Sequence, residues 1–198
     1  MNKPVNNISV TLSDAIPPKD IGPFSFTTSG APANSFPGAV RLSSQKQQVL
    51  VVDFELLNDR YLEQNTYTDD NSAMWNQEVF EIFISAGAET PTRYMEIELN
   101  PNGALFSAWV TNSDGTGSNN TLALFDGRGA GISTSVLKRD NSWHGKIKIP
   151  LSLLGNVQDH YRINFFRIVS LQAHVQSSSW SCTADSCAFL AWSPTLSG

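Results

Sequence analysis

Apolar residues in this chain recur at every second position in short runs, and no stretch of any length carries them at every third or fourth. Residues 47–57 read QQVLVVDFELL, with Leu50, Val52, Phe54 and Leu56 on one side of a pleat and Val51, Asp53 and Glu55 on the other. Residues 78–85 repeat the pattern: Phe80, Ile82 and Ile84 share one face, and Val79, Glu81 and Phe83 share the other. Glu81 is thus an acid among apolar neighbours. In residues 93–100, Met95, Ile97 and Leu99 alternate with Tyr94, Glu96, Glu98 and Asn100, which gives one apolar and one acidic face. The acidic face either lines a site or meets water.

Breakers separate these runs. Gly87 and Pro91 lie between the second and third, and Asn100-Pro101-Asn102-Gly103 has the composition of a tight turn before another strand at residues 104–111. Residues 133–139 and 143–149 flank the hairpin pair Asp140-Asn141. Residues 150–155 suit one short helical turn, and residues 162–170 and 189–192 supply the last strands. A first strand is expected at residues 8–12, followed by an irregular connection over residues 17–38, which hold five prolines. Residues 58–74 are polar and aperiodic and read as a long functional loop. Residues 112–131, with five glycines, read as an excursion with one packed segment around Leu122, Leu124 and Phe125. Many strands without an amphipathic helix predict an antiparallel β-sandwich, with a barrel as the alternative. At 198 residues this is a single domain, with residues 1–46 as first strand and wrap and residues 47–194 as core.

Only 16% of residues are charged and the net charge is −5, without a run of Lys or Arg, which argues against nucleic acid as a partner. No apolar stretch reaches the roughly 20 residues of a membrane helix, and the first residues, MNKPVNN, lack the apolar segment of a secretory signal. The chain is therefore expected to be soluble. Cys182 and Cys187 lie too close, and too far from further ligands, for a zinc framework. A local disulfide is the expectation, with free thiols of a cytosolic protein as the alternative. The sequons at Asn7 and Asn119 agree with an extracellular or cell-surface location.

The stretch WNQEVFEIFISAGAETPTRYMEIELNPN, from Trp75 to Asn102, resembles the core of the family 9 carbohydrate-binding modules and their relatives. The VLVVDFELLNDR, WHGKIKIPLSLL, RINFFRI and AWSP segments follow the order expected of such modules, so the resemblance covers roughly residues 47–194. It implies a β-sandwich that binds a mono-, oligo- or polysaccharide without catalysing a reaction, as lectins do. In such modules a sugar ring stacks on tryptophan and an acid of the EIF strand bonds its hydroxyls, roles that match Trp75 and Glu81. Two departures stand out. Glu98 occupies the position of a family arginine, and an ionised Glu cannot donate to a hydroxyl. A second tryptophan after AWSP is missing, for which Trp180 is the candidate replacement. Tyr94, Asn100 and Arg167 complete the candidate carbohydrate contacts.

Each candidate also has a structural reading. Trp75 would cap a sheet edge, and Glu81 would pair with Arg93, Lys146 or Arg167. Asp59, Asp69 and Asp70 have the oxygen-rich chemistry that calcium prefers, and the resemblance implies structural calcium; solvated loop acids are the alternative. Three other functions compete. Some sandwich relatives hold b-type haem through Met with His or Lys, and Met74, Met95, His144, His160 and His174 are the side chains available. A glycosidase would use Glu81 with Glu96 or Glu98 as paired carboxylates. A cell-surface interaction domain would keep the fold and lose the sugar site.

Overall fold

The computed structural model describes residues 18–23, 26–27, 37–46, 48–87, 91–113, 120–155, 160–171 and 174–179. Among these, twelve strands form two separate antiparallel sheets. The first has the order β1 (Lys19–Pro23), β3 (Gly38–Gln45), β4 (Val49–Leu57), β10 (Ser142–Pro150), β9 (Ser133–Arg139). The second runs β2 (Phe26–Thr27), β12 (His174–Ser179), β11 (Tyr161–Leu171), β5 (Val79–Ala86), β6 (Arg93–Leu99), β7 (Leu105–Thr111), β8 (Thr121–Leu124). Two distinct sheets make a sandwich and rule out the barrel.

The period of two decides which residues meet in the middle. Val52, Phe54 and Leu56 of β4 and Trp143, Ile147 and Ile149 of β10 are buried with Phe80, Ile82 and Ile84 of β5 and Met95, Ile97 and Leu99 of β6 in one cluster. Aromatic rings bridge the two sheets. Phe54 stacks on Phe80 at 3.8 Å between centroids, and Trp143 stands edge-on to Phe54 at 4.9 Å. Phe54 has room for its ring because its register partner is Gly145. A Cβ at position 145 would lie 2.1 Å from Phe54 Cζ, inside the ring's own volume.

The segment expected to be an irregular connection, residues 17–38, contains β1 and β2, and β3 follows it directly. Prolines mask these strands: β1 ends at Pro23, at the sheet edge, where a missing N–H costs no ladder bond. In β3 the buried residues Val40, Leu42 and Ser44 alternate with Arg41 and Ser43, a pattern diluted by its serines. The long loop after β4 holds two 3-10 turns, Leu62–Gln64 and Met74–Asn76, and the short turn expected near residue 150 is Leu151–Leu154. The excursion over residues 112–131 contains β8, whose four residues are exposed rather than packed, while Phe125 packs against the main core. Among the described residues no helix is long and apolar enough to cross a membrane. The expected strands at residues 8–12 and 189–192, Trp180, Cys182, Cys187 and the sequon residues Asn7 and Asn119 lie outside the described residues.

Candidate functional site

The outer face of the seven-stranded sheet carries the acids noted in the sequence. Register places Glu81 of β5 directly opposite Glu98 of β6, and Phe83 opposite Glu96. On the next strands, Phe106 of β7 lies opposite Glu98, and Phe166 of β11 lies opposite Glu81. Most of this face is buried. Phe83, Tyr94, Val110 and Phe166 form one cluster, and Met74, Val79, Ala104, Phe106, Ala108 and Ile168 form another. Glu81 and Glu98 are each 1% exposed, while Glu96 is half-buried.

The three cations that the sequence offered to Glu81 are engaged elsewhere. Arg93 lies over the Trp109 ring at 3.7 Å, Lys146 bonds Asp53 at 3.2 Å, and Arg167 meets Glu78 on the inner side of the sheet. Glu81 Oε2 and Glu98 Oε2 are buried without a hydrogen-bond partner. The carboxyls respond by keeping their protons. Burial, then the charge of Glu96, raises Glu81 well above the usual carboxylate range. Burial, then the charges of Glu81 and Glu96 and a hydrogen bond with Glu96, does the same to Glu98. Burial pushes Glu96 up to about 7, against the lowering effect of its bond with Glu98. Burial and Glu96 also raise the Tyr94 phenol. A protonated Glu98 is a hydrogen-bond donor, so the objection that an acid here can only accept does not hold at neutral pH.

Trp75 sits on the 3-10 turn Met74–Asn76, 43% exposed, with its ring edge-on to Phe106 at 5.5 Å. It therefore stands over the same face as the acids, packed against the first half of β7. The loop that bears it is held to the sheet by side chains. β8 pairs only with residues Ala108–Thr111 of β7, leaving the first half of that strand without a ladder partner on this side. Asp70 Oδ1 accepts from Leu105 N at 2.8 Å and Asn71 Oδ1 from Ser107 N at 2.9 Å, taking the place of strand carbonyls. Asn100 Oδ1 accepts from Asn102 N and Ala104 N, shaping the turn that Gly103 completes at φ +86°, and its Nδ2 donates to Tyr67 O. Asn100 is thereby a buried turn residue.

Part of the oxygen-rich loop that suggested calcium bonds the protein itself. Asp70 bonds Arg128 Nε at 2.6 Å as well as Leu105 N; despite partial burial, these partners hold its carboxyl below the ordinary range. Asp59 is buried and accepts from Tyr61 N at 2.8 Å, while Asp69 is exposed. Among the described residues no three of His, Cys, Asp and Glu come together to hold a metal ion. Of the haem candidates, Met74 and Met95 are buried in different clusters and His144 lies on the other sheet, 3.0 Å from Asp53.

Glu78, one residue before β5, escaped the sequence reading as a functional group. It is 1% exposed, accepts from Trp143 Nε1 at 2.9 Å and from Arg167 Nε at 3.2 Å, and shares its surroundings with Asp59. Burial pushes it up to about 8, opposed by Arg167 and reinforced by the Asp59 charge. Arg167 Nη1 also donates to Pro37 O and Leu57 O, which ties the two sheets together. No local signal marks Glu78, because its partners come from β10 and β11.

No family model matches the chain. An extracellular protein of Arthroderma benhamiae is 29% identical over 147 residues, covering 68% of this chain and 65% of that protein. The chain thus spans about two thirds of that relative's length. Among solved structures, a candidate carbohydrate-binding protein from Bacteroides uniformis superposes with a TM-score of 0.64 at 13% identity, over 90% of this chain and 84% of that one. A family 9 carbohydrate-binding module from Caldicellulosiruptor kristjanssonii, in complex with glucose, gives 0.53 at 12% identity, over 89% and 83%. These likenesses establish the fold. The chain has the β-sandwich of the family 9 carbohydrate-binding modules.

Proposed function

We propose that this protein binds carbohydrate without turning it over, on the outer face of the seven-stranded sheet, with Trp75 as the platform for a sugar ring. The observation that carries the reading is an indole left 43% exposed yet fixed edge-on against Phe106, beside a face of three carboxyl groups. A pyranose offers C–H groups to an aromatic face and hydroxyls to polar groups at its border. Half-buried Glu96 is the carboxyl within reach of solvent; burial raises it, and its hydrogen bond with Glu98 opposes that rise. Two of the compared folds belong to proteins described by carbohydrate binding, one of them holding glucose.

Hydrolysis fits this face poorly. A glycosidase needs two carboxyls that both reach the glycosidic bond, whereas Glu81 and Glu98 are each 1% exposed, which leaves Glu96 alone near solvent. The Arthroderma relative's description as extracellular supports a site of action outside the cell, where polysaccharide is met. Isothermal titration against mono- and oligosaccharides tests the reading. At least one sugar should bind, and Trp75→Ala should lose several-fold to hundredfold of affinity, about 1–3 kcal/mol, while remaining folded. A silent panel sinks carbohydrate binding, and full affinity in the variant sinks Trp75 as the platform.

A further inference from the structure

The loop that presents Trp75 begins and ends in one buried cluster. Asp59, two residues after β4, and Glu78, one residue before β5, are both sealed from solvent, at 0% and 1% exposure. Each uses one carboxyl oxygen on a neighbour: Asp59 Oδ1 holds Tyr61 N, and Glu78 Oε1 holds Trp143 Nε1 and Arg167 Nε. Asp59 Oδ2 and Glu78 Oε2 are buried with no other partner among the described residues, and a hydrogen bond between the two carboxyls helps to raise Glu78. The charged groups around Glu78 are Arg167 from β11 and Asp59 from the loop; β10 contributes the uncharged Trp143. Glu78 thus faces one guanidinium and one further carboxyl in a site closed to water. A second negative charge there has no counterion, and retaining one proton is the way to avoid it.

We propose that Asp59, Glu78 and Arg167 form a proton-dependent latch that closes the base of the Trp75 loop, positioning the tryptophan from below without touching a ligand. The latch stands on the cluster alone; only its effect on ligand binding rests on Trp75 being the platform. The sign follows from proton linkage. With the latch closed Glu78 keeps its proton up to about pH 8, whereas in an opened loop it returns to its ordinary value of 4.5. Between these limits each unit of pH favours the open loop by roughly tenfold, and above them the effect levels off.

Amide hydrogen exchange on the full chain without ligand, corrected for intrinsic exchange, reads this directly. The reporters are Tyr61, whose N–H is held by Asp59, and Gln77, whose N–H bonds Met74 O; Val52 and Ile147 in the inner strands serve as references. Protection at Tyr61 and Gln77 should fall by roughly several hundredfold from about pH 5 to about pH 8, then level off, while staying below that of the references, which report global opening. Glu78→Gln keeps the shape and cannot ionise, so protection at the two reporters should be flat in it. Asp59→Asn removes the neighbouring charge and should shrink the fall, which decides the matter if Glu78→Gln does not fold. Reporters as protected as the references at every pH, or a fall unchanged in either variant, overturn the latch. Sugar affinity that ignores pH while the exchange step persists would count against the Trp75 platform and leave the latch intact.

Discussion

On the outer face of the five-stranded sheet, Asp53 meets Arg41 at 3.2 Å, His144 at 3.0 Å and Lys146 at 3.2 Å, all on neighbouring strands and all partly in water. On the outer face of the seven-stranded sheet, Glu81 meets Glu98, both buried and, among the described residues, without a cation facing them. The five-stranded face also carries a shallow hollow of about 170 Å³ bordered by Arg41, Glu55, Leu137, Arg139, Ser142 and His144, open to solvent and mixed in sign. Both faces come from strands that alternate apolar and polar residues. What differs is the partner strand, and with it whether an acid is ionised. Partly exposed Asp53 is held below the ordinary range by His144 and Lys146, against the opposing effect of burial. The buried glutamates move upward instead. One face uses its charges as ordinary surface pairing; the other stores protons.

The contrast has its largest expected consequence in the pH dependence of stability. Glu78, Glu81, Glu96 and Glu98 hold protons in the folded state that the unfolded chain releases above its ordinary value of 4.5. Stability should therefore fall as pH rises from there toward about 8, by an amount on the order of several kcal/mol. Asp53 and Asp70 act oppositely: their folded values lie below 3.8, so their contribution is present above that value and lost as pH falls through the folded one. Denaturant midpoints across pH should peak at about pH 4–5. A peak at pH 7 or above would remove the proton-storing face from the comparison.

A single substitution should have a smaller effect of the same origin. Glu98→Gln keeps the shape, loses the ionisable proton, and should gain about 1–3 kcal/mol at pH 8 with little change at pH 5. Chemical denaturation at the two pH values checks it, and an equal change at both would mean packing rather than ionisation. Asp53→Asn on the opposite sheet should cost only about 0.2–1 kcal/mol, and less in high salt, because its pairs are partly exposed. A loss of several kcal/mol that salt does not alter would show that the two faces are alike after all.

The same contrast explains what the sequence disclosed. β4 and β10 were legible because their inward residues are uniformly apolar and charged residues, Asp53 and Glu55 on β4 and Lys146 and Lys148 on β10, mark the outward side. β3 was not, since its serines dilute the alternation, and β1 was hidden by the prolines around it. The acidic stripe on β6 was visible, but its burial was not, because that depends on what packs over Phe83, Tyr94 and Phe106. Asp59, Asp69 and Asp70 suggested calcium for a sound chemical reason: an oxygen that suits a cation also suits a bare N–H group, as Asp70 does that of Leu105 and Asp59 that of Tyr61. Trp75 lies on the acids' side, whereas Arg167, a candidate sugar contact and partner for Glu81, belongs to Glu78 on the inner side. Side-chain partners that arrive from distant strands leave no trace in a local pattern.

Phe54 and Gly145 carry a different kind of information. Since the ring tip fills the space where a side chain at 145 would begin, and Phe80 and Trp143 prevent the ring from retreating, the two positions cannot drift independently. Any lineage descending from this chain has to shorten residue 54 before it can place a Cβ at 145, so the order of substitutions is constrained as well as their identity. Among diverged relatives, a residue other than glycine at 145 should therefore occur only with a smaller residue at 54, while glycine at 145 can accompany either.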